Sequence, residues 1–170
     1  NLLNRMRRVN TLLQNSRGTS VHFMEMSDVL SEVIDTNVFI LDKKGKILGH
    51  AIAQQIKSEQ MKEILEERQV SEEYAHILEN AHETISNIEV DSEYTVFPTE
   101  NKELFKTGLT TIIPIIGGGE RLGTLILSRT GKDFDNDDLI LGEYSASIVG
   151  MEIMDERAEL LEEEARSRTI

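Results

Sequence analysis

The sequence predicts an α+β domain in which an antiparallel sheet is flanked by helices and a long helix closes the chain. Three observations predict it. The patterns run helix, helix, strand, strand, helices, strand, strand, strand, helix, which sets three or more antiparallel strands between flanking helices. The runs LTTIIPII (109–116) and ERLGTLILSR (120–129), rich in β-branched residues, flank a glycine cluster as a hairpin does. From Met151 onward the positions Met151, Met154, Ala158, Leu161 and Ala165 recur in steps of three and four, with Glu162, Glu163 and Glu164 between them. That is a heptad seam on a helix that projects from its domain.

Each element has its own signal. Leu2, Leu3, Met6, Val9, Leu12 and Leu13 share one helical face and Arg5, Arg7 and Arg8 the other, with Gly18 suited to the loop that follows. SVHFMEMSDVLSEVIDTN (20–37) reads as a second helix with Met26, Val29, Leu30 and Val33 inward. NVFIL and KILGHAI are short strands joined by the turn DKKG. SEQMKEILEER and SEEYAHILEN are short helices, each opened by a serine that can cap free amides. SEYTVFP (92–98) alternates like a strand and stops at Pro98; Pro114 in the next strand marks a sheet edge or a bulge. The acids of DFDNDD (133–138) open the final helix, where its dipole favours negative charge. This element order, with three or more antiparallel strands between helices, is that of a GAF/PAS-like sensor domain.

Composition narrows the function. The 170 residues hold 31 acidic and 18 basic side chains, a net charge of -13, which argues against a nucleic-acid surface on this chain. With no cysteine there is no disulfide framework and no thiolate chemistry. No apolar run approaches the ~18 residues of a membrane span, and the amphipathic opening is not a signal peptide. A cytoplasmic domain is expected.

The search for chemistry returns little. GGGERLG is not a phosphate-cradling loop, because that motif needs a lysine and a hydroxyl running into a helix, whereas here Glu120, Arg121 and a strand follow. The glycines serve a hairpin turn. His76 and His82 beside Glu79 and Glu83 match no strong metal signature. DFDNDD lacks the sixth-place glycine and twelfth-place glutamate of a calcium loop, so it reads as a helix cap. No enzyme is expected, and no metal or resident cofactor. The cluster DKKGK is more suggestive: in so acidic a chain, Lys43, Lys44 and Lys46 in one turn can form a small anion site. SEYTVFPTEN (92–101) can form a pocket wall beside Phe97.

The stretches DSEYTVFP, TTIIPIIGGGERLGTLILSR, NDDLILGEY, VGMEI and EEEARS together resemble the CodY family of nutrient-sensing transcriptional repressors, over essentially the whole chain. The resemblance implies a GAF-type effector-sensing domain over residues 1–150. Residues 151–170 would begin a linker helix to a winged helix-turn-helix DNA-binding domain outside this chain. It implies a homodimer, with DNA bound only through that further domain. Two effector classes follow from it: GTP and the branched-chain amino acids isoleucine, leucine and valine. The amino-acid pocket would be lined by Gln60, Met61, Ile64, Val70, Thr95, Phe97, Pro98 and Thr99. The sequence departs from the family there. Gln60 stands where an arginine usually pairs the ligand carboxylate, Val70 where phenylalanine is usual, and Ser71 where proline is usual. Guanine would lie near Val21, Phe23, Asp42, Tyr74 and Glu152, and phosphates near Lys43, Lys44, Lys46 and Arg157. Two competing expectations are a dimerisation module with a degenerate pocket and, more remotely, a nucleotide-handling enzyme.

Overall fold

The computed structural model describes residues 1–15, 22–54, 59–89, 92, 94 and 108–168. Two helices, α1 (Leu2–Asn15) and α2 (His22–Ile34), lead into β1 (Asn37–Asp42) and β2 (Ile47–Ala51). Helices α3 (Glu59–Glu67) and α4 (Glu72–Glu79) follow, then β3 (Ile85–Glu89), β4 (Leu109–Gly117), β5 (Glu120–Arg129) and α5 (Asn136–Arg168). The five strands form one antiparallel sheet in the order β2-β1-β5-β4-β3, so β5 lies at its centre.

Both faces of the sheet are covered, which explains why β1, β4 and β5 are largely buried along their length rather than alternating. Val38, Ile40, Ile113, Ile115, Leu125 and Leu127 face a cluster built with α1, α2 and α5. The intervening residues Phe39, Leu41, Ile112 and Ile126 face a second cluster with Met61, Val70, Ala75 and Leu78 of the α3–α4 side. Close packing of α5 needs glycine. A Cβ on Gly150 would stand 2.6 Å from the Ile116 carbonyl oxygen, and one on Gly142 2.6 Å from Ile113 Cδ1.

The expected β4–β5 hairpin closes through Gly118 and Gly119, with φ of 59° and 76°. Two positive values in a two-residue loop are the geometry that matches strand twist, and glycine adopts it at little cost. Pairing of β4 with β3 ends at Ile112, so Pro114 sits on a locally open edge, just before a register shift at Ile115/Ile116. Ser71 caps α4 by accepting the Tyr74 amide. The cap proposed for the preceding helix and the loop at Gly18 lie outside the described residues.

The strand expected at 92–98 requires correction. The third strand in chain order is Ile85–Glu89, while Ser92 and Tyr94 lie in a bend and a turn. Residues 95–98 lie outside the described residues. The signal of β3 is weak because Asn87 has a φ of 54° and the pairing shifts between Ile85 and Ile88, which breaks the period of two. Asn87 is held instead by the loop before α5: its Oδ1 accepts the Phe134 amide at 2.8 Å and its Nδ2 donates to the Phe134 carbonyl at 3.1 Å.

The acids before α5 act as a cap, as their pattern suggests. Asp135 Oδ1 accepts the Asp138 amide at 2.9 Å while Asp138 Oδ2 accepts the Asp135 amide at 3.1 Å, a reciprocal capping box. Asp138 also receives Arg5 and Arg129, each at 2.8 Å. The Arg129 side chain is 2% exposed. Its guanidinium donates further to the carbonyls of Ile34, Lys132 and Asp133 and lies 4.2 Å from the Phe134 ring centroid. Beyond Met154 the helix leaves the domain, and residues 155–168 are exposed. Of the heptad positions, Met151 and Leu161 are exposed, whereas Met154 rests against the β4–β5 turn, close to Gly117 and Gly118.

Burial pushes the Asp138 carboxyl upward. Hydrogen bonds from Arg5, the Asp135 amide and Arg129, with the Arg129 charge, more than offset this and hold it below the ordinary aspartate range. A depressed carboxylate stabilises the fold above its unfolded value near ~3.9, and that stabilisation is lost as pH falls through the folded value. Arg129→Met should therefore lower the unfolding free energy by about 3 kcal/mol at pH 7, because it leaves a buried carboxylate short of a partner. Urea denaturation measures this, and the deficit should shrink below about pH 4 as Asp138 protonates. A loss below ~1 kcal/mol would mean that Arg5 and the Asp135 amide satisfy the carboxylate without Arg129.

Candidate functional site

The basic turn between β1 and β2 is organised by its own aspartate. Asp42 Oδ1 accepts the amides of Lys44 and Lys46, both at 2.9 Å, and the Asp42 carbonyl accepts the Gly45 amide. A side chain that satisfies turn amides in this way fixes a tight loop. Gly45 takes a φ of 85° within it. The turn thus presents Lys43, Lys44 and Lys46, all exposed, from a rigid frame.

The cations of this turn do not stand alone. Lys43 Nζ lies 3.5 Å from Glu120 Oε1, and Arg157 donates to Glu120 Oε2 at 3.1 Å. Three elements therefore meet at one carboxylate: the β1–β2 turn, the start of β5 and the protruding part of α5. The Arg157 hydrogen bond and charge, followed by Lys43, hold the Glu120 carboxyl below its ordinary range. Glu120 was not among the residues singled out from the sequence. The available signal was a charged pair at the head of an apolar strand, directly after a two-glycine turn. Arg121, the other half of that pair, turns to the opposite side. It donates to the carbonyls of Leu78 and Ala81, where α4 ends, and to Thr124 Oγ1.

The predicted amino-acid residues that the structure describes fall together. Met61 and Val70 are buried and Ile64 is half-buried in the cluster on the α3–α4 face, with Tyr74 and Tyr94 at its border. Tyr74 donates its hydroxyl to the Tyr94 carbonyl, and burial raises its pKa. Thr95, Phe97, Pro98, Thr99 and the Gln60 side chain lie outside what is described, as does Val21.

This apolar wall is bonded to the basic turn. The Val70 amide donates to the Gly45 carbonyl at 3.0 Å and the Ile47 amide to the Arg68 carbonyl at 2.9 Å. Gln69 Nε2 reaches the Lys44 carbonyl at 2.8 Å. A Cβ on Gly45 would stand 2.6 Å from Val70 Cγ2, so the turn and the wall are in van der Waals contact. The two candidate sites share this segment.

The remaining predicted residues are more scattered. Phe23 is buried in the cluster on the α2 and α5 side, the sheet face opposite Tyr74. Glu152 is half-buried on α5. One carboxylate oxygen of Asp42 is committed to the turn. A groove of about 330 Å³ between β4 and α5, reached by His82, Glu83, Pro114, Glu143 and Ser147, contains none of the predicted residues. His76 and Glu79 form an exposed pair at 3.7 Å, and no acid–histidine group among the described residues could hold a metal ion. No helix among them is long and apolar enough to cross a membrane.

A central antiparallel sheet with α2 and α5 on one face and α3 and α4 on the other defines a GAF domain. The GAF domain of a phosphoenolpyruvate-protein phosphotransferase from Coxiella burnetii superposes with a TM-score of 0.62 over 94% of this chain and 98% of its own, at 16% identity. That likeness concerns the fold alone. The chain belongs to the CodY GAF-like domain family, whose model matches residues 1–170. The global transcriptional regulator CodY of Geobacillus kaustophilus is 59% identical over 170 residues, covering 100% of this chain and 66% of the relative. That of Bacillus cytotoxicus is 59% identical over 169 residues, 99% of this chain and 65% of the relative. The chain thus spans about two thirds of the length of the curated relatives. The cofactor-binding GAF domain of the nutrient sensor CodY from Clostridium difficile is 35% identical, with a TM-score of 0.63 over 89% of this chain and 96% of its own.

Proposed function

We propose that this chain is the effector-sensing domain of a nutrient-responsive transcriptional repressor that works in the cytoplasm as a homodimer. Residues 1–150 form the sensor and residues 151–170 begin the linker to a DNA-binding domain. GTP binds with its phosphates at Lys43, Lys44, Lys46 and Arg157, and its guanine is approached by Val21, Phe23, Asp42, Tyr74 and Glu152. Isoleucine, leucine or valine occupies the pocket of Gln60, Met61, Ile64, Val70, Thr95, Phe97, Pro98 and Thr99. The role is binding and signal transfer, with no chemical step.

The observation that carries this reading is the convergence of Lys43 and Arg157 on Glu120. Cations from the domain and from the departing helix meet where an anion binds both, so nucleotide occupancy changes how α5 is held. The shared backbone of Gly45 and Val70 gives the amino-acid site access to the same turn. A ligand shifts such an equilibrium only by its differential contacts with the two states, and phosphates supply them here. Exposed Met151 and Leu161 on α5 offer an apolar stripe for the second copy.

Calorimetry tests both effectors. GTP should bind, with an affinity that falls as salt rises, and Lys44→Ala should cost about 1–2 kcal/mol. Equal affinity in the variant would remove the turn from the site. Isoleucine should bind weakly, since Gln60 meets a carboxylate with a neutral amide where the family has an arginine. Gln60→Arg should tighten it at least tenfold, about 1.4 kcal/mol. Tight isoleucine binding that arginine does not improve would mean that another group holds the carboxylate. No binding of either effector would leave a dimerisation module.

A further inference from the structure

The two cations that converge from separate elements are already bridged by an anion of the chain itself. Glu120 divides its carboxylate between them, Oε1 toward Lys43 at 3.5 Å and Oε2 toward Arg157 at 3.1 Å. All three side chains are about half exposed, so the cluster is open to a ligand from solution. The carboxylate has a fixed origin, because Glu120 follows the two-glycine turn directly and is the first residue of the central strand. Met154 rests against the same turn, which places the hairpin tip and α5 in contact.

We infer that Glu120 is an internal competitor for the phosphate position, a carboxylate that latches the basic turn to α5 until a polyphosphate displaces it. This rests on the nucleotide reading above and adds a residue that sets its threshold. A carboxylate carries one charge and two acceptor oxygens, and a triphosphate tail carries several of each. The tail can therefore satisfy Lys43 and Arg157 together with Lys44 and Lys46, where the carboxylate serves only two. Inorganic phosphate carries less charge and fewer acceptor oxygens than a triphosphate and gains less by displacing it, so the latch favours the triphosphate. The carboxylate also lowers the positive potential that would attract any anion to the turn. In this structure the carboxylate bridges both cations, so the latch is closed there.

The test is GTP binding by calorimetry to the unmodified chain, Glu120→Gln and Lys44→Ala, with inorganic phosphate as a second probe. Glutamine keeps the length and hydrogen-bonding capacity of the side chain and removes its charge. Glu120→Gln should bind GTP about tenfold more tightly and should gain measurable affinity for inorganic phosphate. Equal or weaker GTP binding in Glu120→Gln, with Lys44→Ala still impaired, would overturn the latch and leave the nucleotide site standing. GTP binding absent from both the unmodified chain and Glu120→Gln, or indifferent to Lys44→Ala, would overturn the site reading and the latch with it. Unfolding curves for Glu120→Gln should match those of the unmodified chain, since the residue lies at an exposed turn. A folding defect accompanied by weaker GTP binding would make Glu120 a structural support of the turn and would also overturn the latch.

Discussion

The buried guanidinium of Arg129 fixes the rest of this structure. A charge this deep is costly unless every donor finds an acceptor. Arg129 meets the demand by binding the end of α2 at Ile34, the loop at Lys132 and Asp133, and the first turn of α5 at Asp138. The root of α5 is thereby tied to one end of the central strand. From there α5 runs back along the sheet, kept close by Gly142 and Gly150. From Asp138 to Arg157 a helix climbs roughly 28 Å, and from Arg129 to Glu120 a strand extends roughly 30 Å. The matched lengths bring Arg157 to Glu120 at the far end of β5. The charge cluster at one end of the sheet depends on the ion pair at the other.

That geometry gives the GGGER stretch a more definite part than a turn. Gly118 and Gly119 only reverse the chain, but the two charged residues after them face in different directions. Glu120 joins the basic turn and α5, while Arg121 caps the C-terminal carbonyls of α4 on the opposite face. One end of the central strand thus touches elements that border both candidate sites. A second route runs through the backbone between Gly45 and Val70. The basic turn and the apolar wall at 68–70 are therefore in direct backbone contact.

Much of this was legible in the amino-acid pattern. Helices with one apolar face, the DKKG turn, the glycine-centred hairpin and the capping acids of α5 are local features, and each formed where its pattern placed it. The third strand was not legible, because Asn87 interrupts Ile85–Glu89 with a left-handed residue that is held by partners distant in sequence, Thr111 and Phe134. The Lys43, Lys44 and Lys46 cluster was visible as an unexpected basic spot in an acidic chain. Glu120 was not visible as its partner, since their meeting depends on three elements far apart in sequence. For the same reason no pattern marks Arg129, and Asp138 is legible only as a capping acid until the fold buries them both. Membership in the CodY family rests on the match over the whole chain, not on any one motif.

Hydrogen exchange of the unmodified chain with and without GTP tests the central claim most directly, namely that the basic turn, the wall at 68–70 and α5 respond as one unit. The account predicts that GTP slows exchange together at residues 42–47, at residues 68–70 and in α5 around Arg157. Protection confined to the turn, with 68–70 and α5 unchanged at saturating GTP, would contradict it.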